Sequence, residues 1–245
     1  MGHVTETDLL AWRADPVAFS ETLTMRRPDG TTGPPQWSAR QASWLRALAA
    51  RDEKGAPLHR TVAVVGPKRC GKTLASAVAL LWSCLWPDRL SVALANSREG
   101  AEELGYREAL RLLKTSPLAS LARDRRGRIE FDNGSTVMAV PCNAATVVGL
   151  TVSGLLVSDE LWSAVSPEPY RLLSSQASSA SSQVLLVSQT SGTDSDVYRI
   201  YQAAQRGEAP RTWVDYIGPS VVTAEGNPNP YLGDDYYAER RAQLP

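Results

Sequence analysis

Eight consecutive residues in the first third of the chain have the types and spacing of a loop that binds phosphate. They are Gly66, Pro67, Lys68, Arg69, Cys70, Gly71, Lys72 and Thr73. Glycines let backbone N–H groups turn toward a polyphosphate, and a helix that follows them adds the partial positive charge of its N-terminus. Lys72 would reach the β and γ phosphates, and the hydroxyl of Thr73 would be a ligand of Mg²⁺, which prefers oxygen. The pattern therefore predicts a site for a nucleoside triphosphate and Mg²⁺.

Two adjacent carboxylates, Asp159 and Glu160, follow an apolar segment with the character of a buried strand. Because open α/β sheets bind ligands at the carboxyl ends of their strands, we expect this pair to face the phosphate loop. Asp159 would orient the Mg²⁺ shell, and Glu160 would polarise the attacking water. The alternative is that the pair is a helix N-cap. A glutamate directly after the metal-associated aspartate favours hydrolysis of ATP for mechanical work, and the Asn-Lys-x-Asp motif of GTPases is absent from the sequence.

A third polar motif, Ser188, Gln189 and Thr190, follows another apolar run at residues 183–187. Small polar groups at the end of a strand can sense the γ phosphate and transmit its loss to the rest of the chain. The alternative is the ordinary polarity of a strand that becomes a loop. We interpret these residues as a coupling motif because the other two motifs place the site at the same edge of the sheet.

Short apolar strands and helices alternate around these motifs. The predicted strands cover residues 61–65, 90–95, 128–131, 135–140, 154–158 and 183–187. The predicted helices cover residues 8–13, 38–48, 98–114 and 195–206, together with one that starts directly after the phosphate loop. Residues 132–134, Asp-Asn-Gly, form a strong hairpin signal because asparagine and glycine tolerate positive φ. The alternation predicts an α/β fold, a P-loop NTPase with a mostly parallel central sheet, helices on both faces and an inserted β-hairpin.

Proline, glycine and asparagine mark the ends of the compact part of the sequence. Residues 1–35 are polar and interrupted by proline, and we expect them to form an N-terminal arm. Residues 36–222 would be the P-loop ATPase domain. Residues 223–245 open with a segment rich in Asn and Pro and would begin a linker.

The charge of the chain limits how it can contact nucleic acid. Its 26 basic residues balance 26 acidic ones among 245 residues, so the whole chain lacks the positive field of a protein that coats nucleic acid. Any such contact must be local. The densest basic segment, residues 123–128, is either a grip on DNA or a solvated turn.

Membrane insertion and zinc binding are not expected. No apolar run approaches the roughly 20 residues needed to span a bilayer, and the start of the sequence lacks the pattern of a signal peptide, so we expect a cytoplasmic protein. Three widely spaced cysteines and two histidines argue against a zinc site. Cys70 lies near a helix N-terminus, which could depress the pKa of its thiol, but we expect a small residue that fits a tight loop.

In their order and spacing, these motifs resemble the N-terminal ATPase domain of the large terminase subunit of tailed bacteriophages. The resemblance runs over about residues 35–230, and it includes residues 95–99, Gly149 ahead of Asp159, and the basic residues Lys68 and Arg69. It implies an ASCE-type fold and an ATP-driven motor that moves double-stranded DNA into a procapsid in the cytoplasm of the host cell. It also implies a homo-oligomeric ring on the portal, a monomer in isolation, and cooperation with a small terminase subunit.

The resemblance extends to roles for single residues. Gln41 is similar to the family's adenine-side glutamine. Many large terminases place an arginine where Val148 stands, just before Gly149. The transition-state charge would then come from Lys68 or Arg69 in cis. The trans donors from a neighbouring subunit, which are also the candidate DNA contacts, would be Arg98, Arg125, Arg126 and Arg128.

Family members carry a C-terminal RNase H-like nuclease domain, and this chain stops where the linker to it should begin. We therefore expect no nuclease activity here and do not interpret Asp234 and Asp235 as its metal site. Two other functions stay open, a related P-loop helicase or DNA-repair ATPase, and an assembly or docking module that binds ATP with little turnover.

Overall fold

An eight-stranded sheet forms the centre of the protein in the computed structural model. The structure describes residues 4–27, 29–95, 105–125, 127–141, 147, 149–159, 171, 174–175, 177, 181–189, 196–218 and 229–231. The helices are α1 (Glu6–Ala14), α2 (Pro16–Ser20), α3 (Ala39–Ala49), α4 (Lys72–Ser83), α5 (Arg107–Leu113) and α6 (Asp196–Gln205). The strands are β1 (Met25–Arg26), β2 (Thr32–Gly33), β3 (Thr61–Val65), β4 (Leu90–Ala95), β5 (Ala122–Arg125), β6 (Arg128–Phe131), β7 (Thr136–Pro141), β8 (Leu155–Asp159), β9 (Gln183–Ser188) and β10 (Thr212–Tyr216).

The strand order of the large sheet is β10-β3-β9-β8-β4-β7-β6-β5. All neighbours from β10 to β7 run parallel, and only the β7–β6 and β6–β5 pairs are antiparallel. The predicted fold is confirmed, including the hairpin, whose turn at residues 132–134 has Gly134 at φ 85°. One strand, β9, lies between β3 and β8, which is the strand insertion that an ASCE-type fold requires.

Both faces of the sheet are covered, which explains why its central strands are uniformly apolar. Every residue of β8 and β9 is buried. One face packs against α3, α4 and α5, with Trp44, Leu80 and Leu112 in a single hydrophobic cluster. A second cluster covers the other face and includes Val152 and Val197. In the described part of the chain, no helix is long and apolar enough to cross a membrane.

Two strands of the sheet do not follow from the sequence patterns. β10 lies at one edge, next to β3, and its residues are only partly buried. β5 lies at the other edge, within the basic segment that we interpreted as either a turn or a DNA grip. Three of its four residues are charged, so its strand pattern is hidden. The predicted helix over residues 98–114 falls partly outside the described residues, and the part described contains α5.

The N-terminal segment, which we expected to be an arm, contributes to the hydrophobic core. Phe19 and Leu23 are 0% and 1% exposed and belong to the cluster that contains α4. Trp82 of α4 donates a hydrogen bond from Nε1 to the carbonyl of Trp12 at 2.8 Å. Local signals for these helices exist, because Thr5 and Asp8 form a capping box and Pro16 opens α2.

Replacement of Phe19 by alanine tests this packing. We expect Phe19→Ala to lower the free energy of unfolding by about 3–5 kcal/mol, because a fully buried aromatic ring leaves a cavity. Leu10→Ala is the control, since Leu10 is 59% exposed and should change stability by less than about 0.5 kcal/mol. Urea unfolding measures both. Equal stabilities of the two variants would contradict the packing of this segment against the core.

Candidate nucleotide-binding site

The phosphate loop connects β3 to α4 at the carboxyl edge of the sheet. β3 ends at Val65, and α4 starts at Lys72 with Gly71 as its N-cap at φ 91°. Arg69 also has a left-handed backbone, at φ 62°, which is uncommon for a residue other than glycine. The N-terminus of a 12-residue helix therefore lies directly behind the loop, as anion binding requires.

Lys72 lies inside the loop and is only 6% exposed. Its Nζ donates to the carbonyls of Gly66 at 3.0 Å and Pro67 at 2.7 Å, and contacts the sulfur of Cys70 at 3.6 Å. These acceptors are neutral, whereas a polyphosphate offers charged oxygens that form stronger hydrogen bonds with an ammonium group. The geometry suits a lysine that exchanges loop carbonyls for phosphate.

Gln41 links α3 to the same loop. Its Nε2 donates to the carbonyl of Cys70 at 3.0 Å, and its Oε1 accepts from the backbone N–H of Ser38 at 2.9 Å. The side chain is buried, with 2% of the residue exposed. A methyl group at Gly71 would lie 2.3 Å from Gln41 Nε2, so a side chain there would displace the Gln41 amide, and the positive φ of Gly71 independently favours glycine.

Polar groups end β9, which pairs with β3, and β8, which pairs with β9. Asp159, which is 7% exposed, ends β8, and Ser188, which is fully buried, ends β9. Ser188 pairs with Val65 across the sheet, and its carbonyl accepts from the N–H of Gly66 at 3.0 Å. The hydroxyl of Ser188 is buried and makes no hydrogen bond in the described part of the chain.

The oxygen groups at this edge fit Mg²⁺. Asp159 offers a carboxylate, and Thr73 offers a hydroxyl in the first turn of α4. Among the described residues there is no group of three or more His, Cys, Asp or Glu side chains that could hold a metal by itself. Mg²⁺ typically uses one or two protein oxygens and completes its shell with phosphate and water, so the donor set suits it.

The other predicted site residues divide into three groups. Lys68 and Arg69 are exposed at the loop, and Gln189 is half-buried after β9. Arg125 and Arg128 lie on β5 and β6, and β6 is five strand spacings, about 24 Å, from β3. The remaining four lie outside the described residues: Glu160, Thr190, Arg98 and Arg126.

Sequence reasoning missed one contact with the loop and one with the segment before α3, both made by residues 229–231. Asn229 donates from Nδ2 to the carbonyl of Arg69 at 2.5 Å, and the hydroxyl of Tyr231 accepts from the N–H of Gln36 at 2.5 Å. The Asn-Pro pattern around residue 229 indicated only a linker. At the end of β10, Ile217 donates its N–H to the carbonyl of Val65 at 2.7 Å.

A phosphate loop between a buried parallel strand and a helix, with an acidic strand end two strands away, defines the P-loop NTPase fold. The chain belongs to the large terminase family, because the family model "Terminase large subunit, T4likevirus-type, N-terminal" matches residues 63–242. No curated protein sequence matches the chain significantly.

Solved structures of phage terminases have the same fold. The large terminase of bacteriophage HK97 superposes with a TM-score of 0.77 at 17% identity, over 95% of this chain and 52% of that one. The large terminase of the thermophilic bacteriophage D6E in complex with ATP-gamma-S gives 0.63 at 14% identity, over 86% of this chain and 50% of that one. The Thermus phage P74-26 large terminase ATPase domain gives a TM-score of 0.59 at 17% identity, over 86% of this chain and 89% of that one. The chain thus spans about half the length of the first two proteins.

Asp159→Asn tests the Mg²⁺ site without measuring turnover. For the unchanged protein, we expect ADP with Mg²⁺ to raise the melting temperature more than ADP with EDTA. In Asp159→Asn the increment due to Mg²⁺ should disappear, because an amide is a poor Mg²⁺ ligand. Asp132→Asn, at an exposed hairpin turn, is the control. A full Mg²⁺ increment in Asp159→Asn would assign the metal elsewhere.

The reactivity of Cys70 tests the environment of the loop. Burial raises the pKa of the Cys70 thiol, and the nearby Lys72 ammonium offsets only part of that shift. Burial also raises the pKa of the Cys84 thiol to about 12. Because the thiolate reacts, we expect iodoacetamide at pH 8 to modify both at least about tenfold more slowly than in urea, as measured by mass spectrometry of their peptides. Rapid modification of Cys70 alone would support a depressed pKa.

Proposed function

We propose that this chain is the ATPase motor domain of a viral terminase, which hydrolyses ATP to move double-stranded DNA into a procapsid. The observation that carries the proposal is the convergence of the phosphate loop and Asp159 at one edge of the sheet, with β9 between their strands. Membership of the large terminase family and the fold shared with a terminase in complex with ATP-gamma-S support ATP as the nucleotide.

In this proposal the residues of the site divide the chemistry among them. Lys72 and the loop N–H groups bind the phosphates, and Thr73 and Asp159 hold Mg²⁺, which neutralises charge on the transferred group. Glu160, directly after Asp159, orients and polarises the attacking water. Ser188, Gln189 and Thr190 form the coupling motif, which is supported by the hydrogen bond from Gly66 N–H to the Ser188 carbonyl.

The transition-state charge comes either from the exposed Lys68 and Arg69 or from a neighbouring copy. Arg125 and Arg128 lie too far along the sheet to reach the phosphate loop of their own chain, which supports a role toward a neighbour or DNA. Arg125 also pairs with Glu130 at 3.2 Å. The balanced charge of the chain supports a grip on DNA that depends on few residues.

The assembled motor in this proposal is a homo-oligomeric ring at the portal of the procapsid, in the host cytoplasm, working with a small terminase subunit. Residues 36–222 act as the ATPase domain, with Phe19 and Leu23 of the preceding segment packed into its core, and residues 223–245 begin the linker toward a nuclease domain. The isolated chain is a monomer. An arginine supplied by a neighbour can contribute about 10³ to 10⁵ in rate, so the monomer turns over slowly.

Steady-state ATP hydrolysis tests this function. We expect turnover that rises more than linearly with protein concentration and increases with double-stranded DNA. Glu160→Gln should lower it by about 10² to 10⁴-fold while ATP still binds, because the variant loses the general base and keeps the phosphate loop. Glu208→Gln, in an exposed ion pair with Arg206, is the matched control and should turn over normally.

The two rival functions predict different results in the same assay. A docking module would bind ATP without turnover at any concentration, and Glu160→Gln would leave its partner binding unchanged. A helicase or repair ATPase would separate strands of a duplex substrate. Absence of both nucleotide binding and turnover in the folded chain, at every protein concentration tested, would contradict the proposed function itself.

A further inference from the structure

A partly buried carboxylate on the edge strand β10 connects that strand to the start of α3. Asp215 accepts hydrogen bonds from Arg40 Nε at 2.8 Å and from a terminal nitrogen of Arg40 at 2.6 Å. It also accepts from Trp44 Nε1 at 2.6 Å. The Asp215 side chain is 13% exposed. Because Arg40 and Trp44 lie one turn apart on α3, a single carboxylate fixes the position and the rotation of this helix.

Gln41 lies between these two anchors and faces the phosphate loop. Both ends of its amide are engaged, Oε1 by the N–H of Ser38 and Nε2 by the carbonyl of Cys70. Ser38 Oγ accepts in return from the Gln41 N–H at 3.2 Å, which completes a capping box. The amide is therefore used to join the helix start to the loop.

The hydrogen bond from Gln41 to the Cys70 carbonyl determines the direction in which the N–H of Gly71 points. The peptide between Cys70 and Gly71 is planar and trans, so its C=O and N–H point in opposite directions. With the carbonyl held toward α3, the N–H of Gly71 points away from α3. Cys70 lies between Arg69 and Gly71, both of which have positive φ, so this stretch needs support from outside the loop.

The end of β10 also contacts the start of the phosphate loop. Ile217 donates its N–H to Val65, and a methyl group placed on Gly66 would lie 3.0 Å from the Ile217 side chain. The end of β10 thus contacts Gly66, the first residue of the loop, directly. Through Asp215 and α3 it also supports the later residues of the loop.

We propose that Asp215 is a positioning residue of the nucleotide site. Through Arg40 and Trp44 it holds α3 so that Gln41 fixes the Cys70 carbonyl and orients the phosphate-binding N–H of Gly71. In this role Gln41 acts on the polyphosphate-binding loop, in contrast to the adenine-side role that the family resemblance implies. The inference rests on the nucleotide binding of the proposed function, but it does not require hydrolysis or DNA movement.

The test compares ligands that share a polyphosphate and differ in the base. ATP, GTP and inorganic tripolyphosphate are titrated in competition with a fluorescent ATP analogue, at a temperature where every variant is folded. We expect Gln41→Ala to weaken all three by the same factor, roughly tenfold, because one buried hydrogen bond that shapes the common site is lost. Trp44→Phe removes one donor to Asp215 and leaves a small cavity in the core, and it should weaken all three by roughly threefold. Asp215→Asn should have an effect at least as large as that of Trp44→Phe.

Gln183→Ala is the matched control. Gln183 is also buried and donates from Nε2 to a backbone carbonyl, that of His59 at 2.8 Å, but it lies at the opposite end of β9. It should lower the melting temperature without changing any of the three affinities. This separates positioning of the loop from a general loss of stability.

Three results would overturn the inference. Gln41→Ala could weaken ATP while leaving tripolyphosphate unchanged, which would assign Gln41 to the adenine. Trp44→Phe and Asp215→Asn could leave all affinities unchanged in folded protein, or Gln183→Ala could reproduce their effect. A chain that binds all three ligands but never hydrolyses ATP would contradict the proposed function and leave this inference intact.

Discussion

The conformation of the phosphate loop is the constraint on which the rest of the site depends. Two of its residues, Arg69 and Gly71, have left-handed backbones, and a loop of this kind does not hold its shape alone. Side chains therefore fix its carbonyls. Lys72 donates to the carbonyls of Gly66 and Pro67. Asn229 and Gln41, from other parts of the chain, donate to the carbonyls of residues 69 and 70. The fold supplies these donors by placing α3, β10 and residues 229–231 around one strand end.

Much of the central architecture can be predicted because burial leaves a local signal. β3, β8 and β9 are covered on both faces, so they appear as continuous apolar runs between polar turns. The edge strands lack this signal. β10 is only partly buried and contains Asp215, and β5 carries charge at three of four positions. The core contribution of Phe19 was missed for a related reason, since α2 is only five residues long and too short to show a helical period.

The candidate site also contains residues that the sequence predicts and residues that it does not. Residue types at the loop and at the strand ends could be predicted because the chemistry of phosphate and Mg²⁺ restricts them to a few adjacent positions. The supports of the loop could not, because their partners are far apart in sequence. Arg40 and Asp215 are separated by 175 residues, and Arg69 and Asn229 by 160. No periodicity links such pairs, and only the folded sheet brings β10 beside β3 and thereby Asp215 beside α3.

This arrangement also determines how a ligand at the loop would act on the rest of the protein. Phosphate oxygens would compete with the carbonyls of Gly66 and Pro67 for the ammonium of Lys72, so binding changes hydrogen bonds within the loop itself. Gly66 is also bonded to the carbonyl of Ser188 and packs against Ile217. A rearrangement at this residue therefore reaches both neighbours of β3 at once. Since β9 also pairs with β8, which ends in Asp159, the same strand connects the loop to that carboxylate.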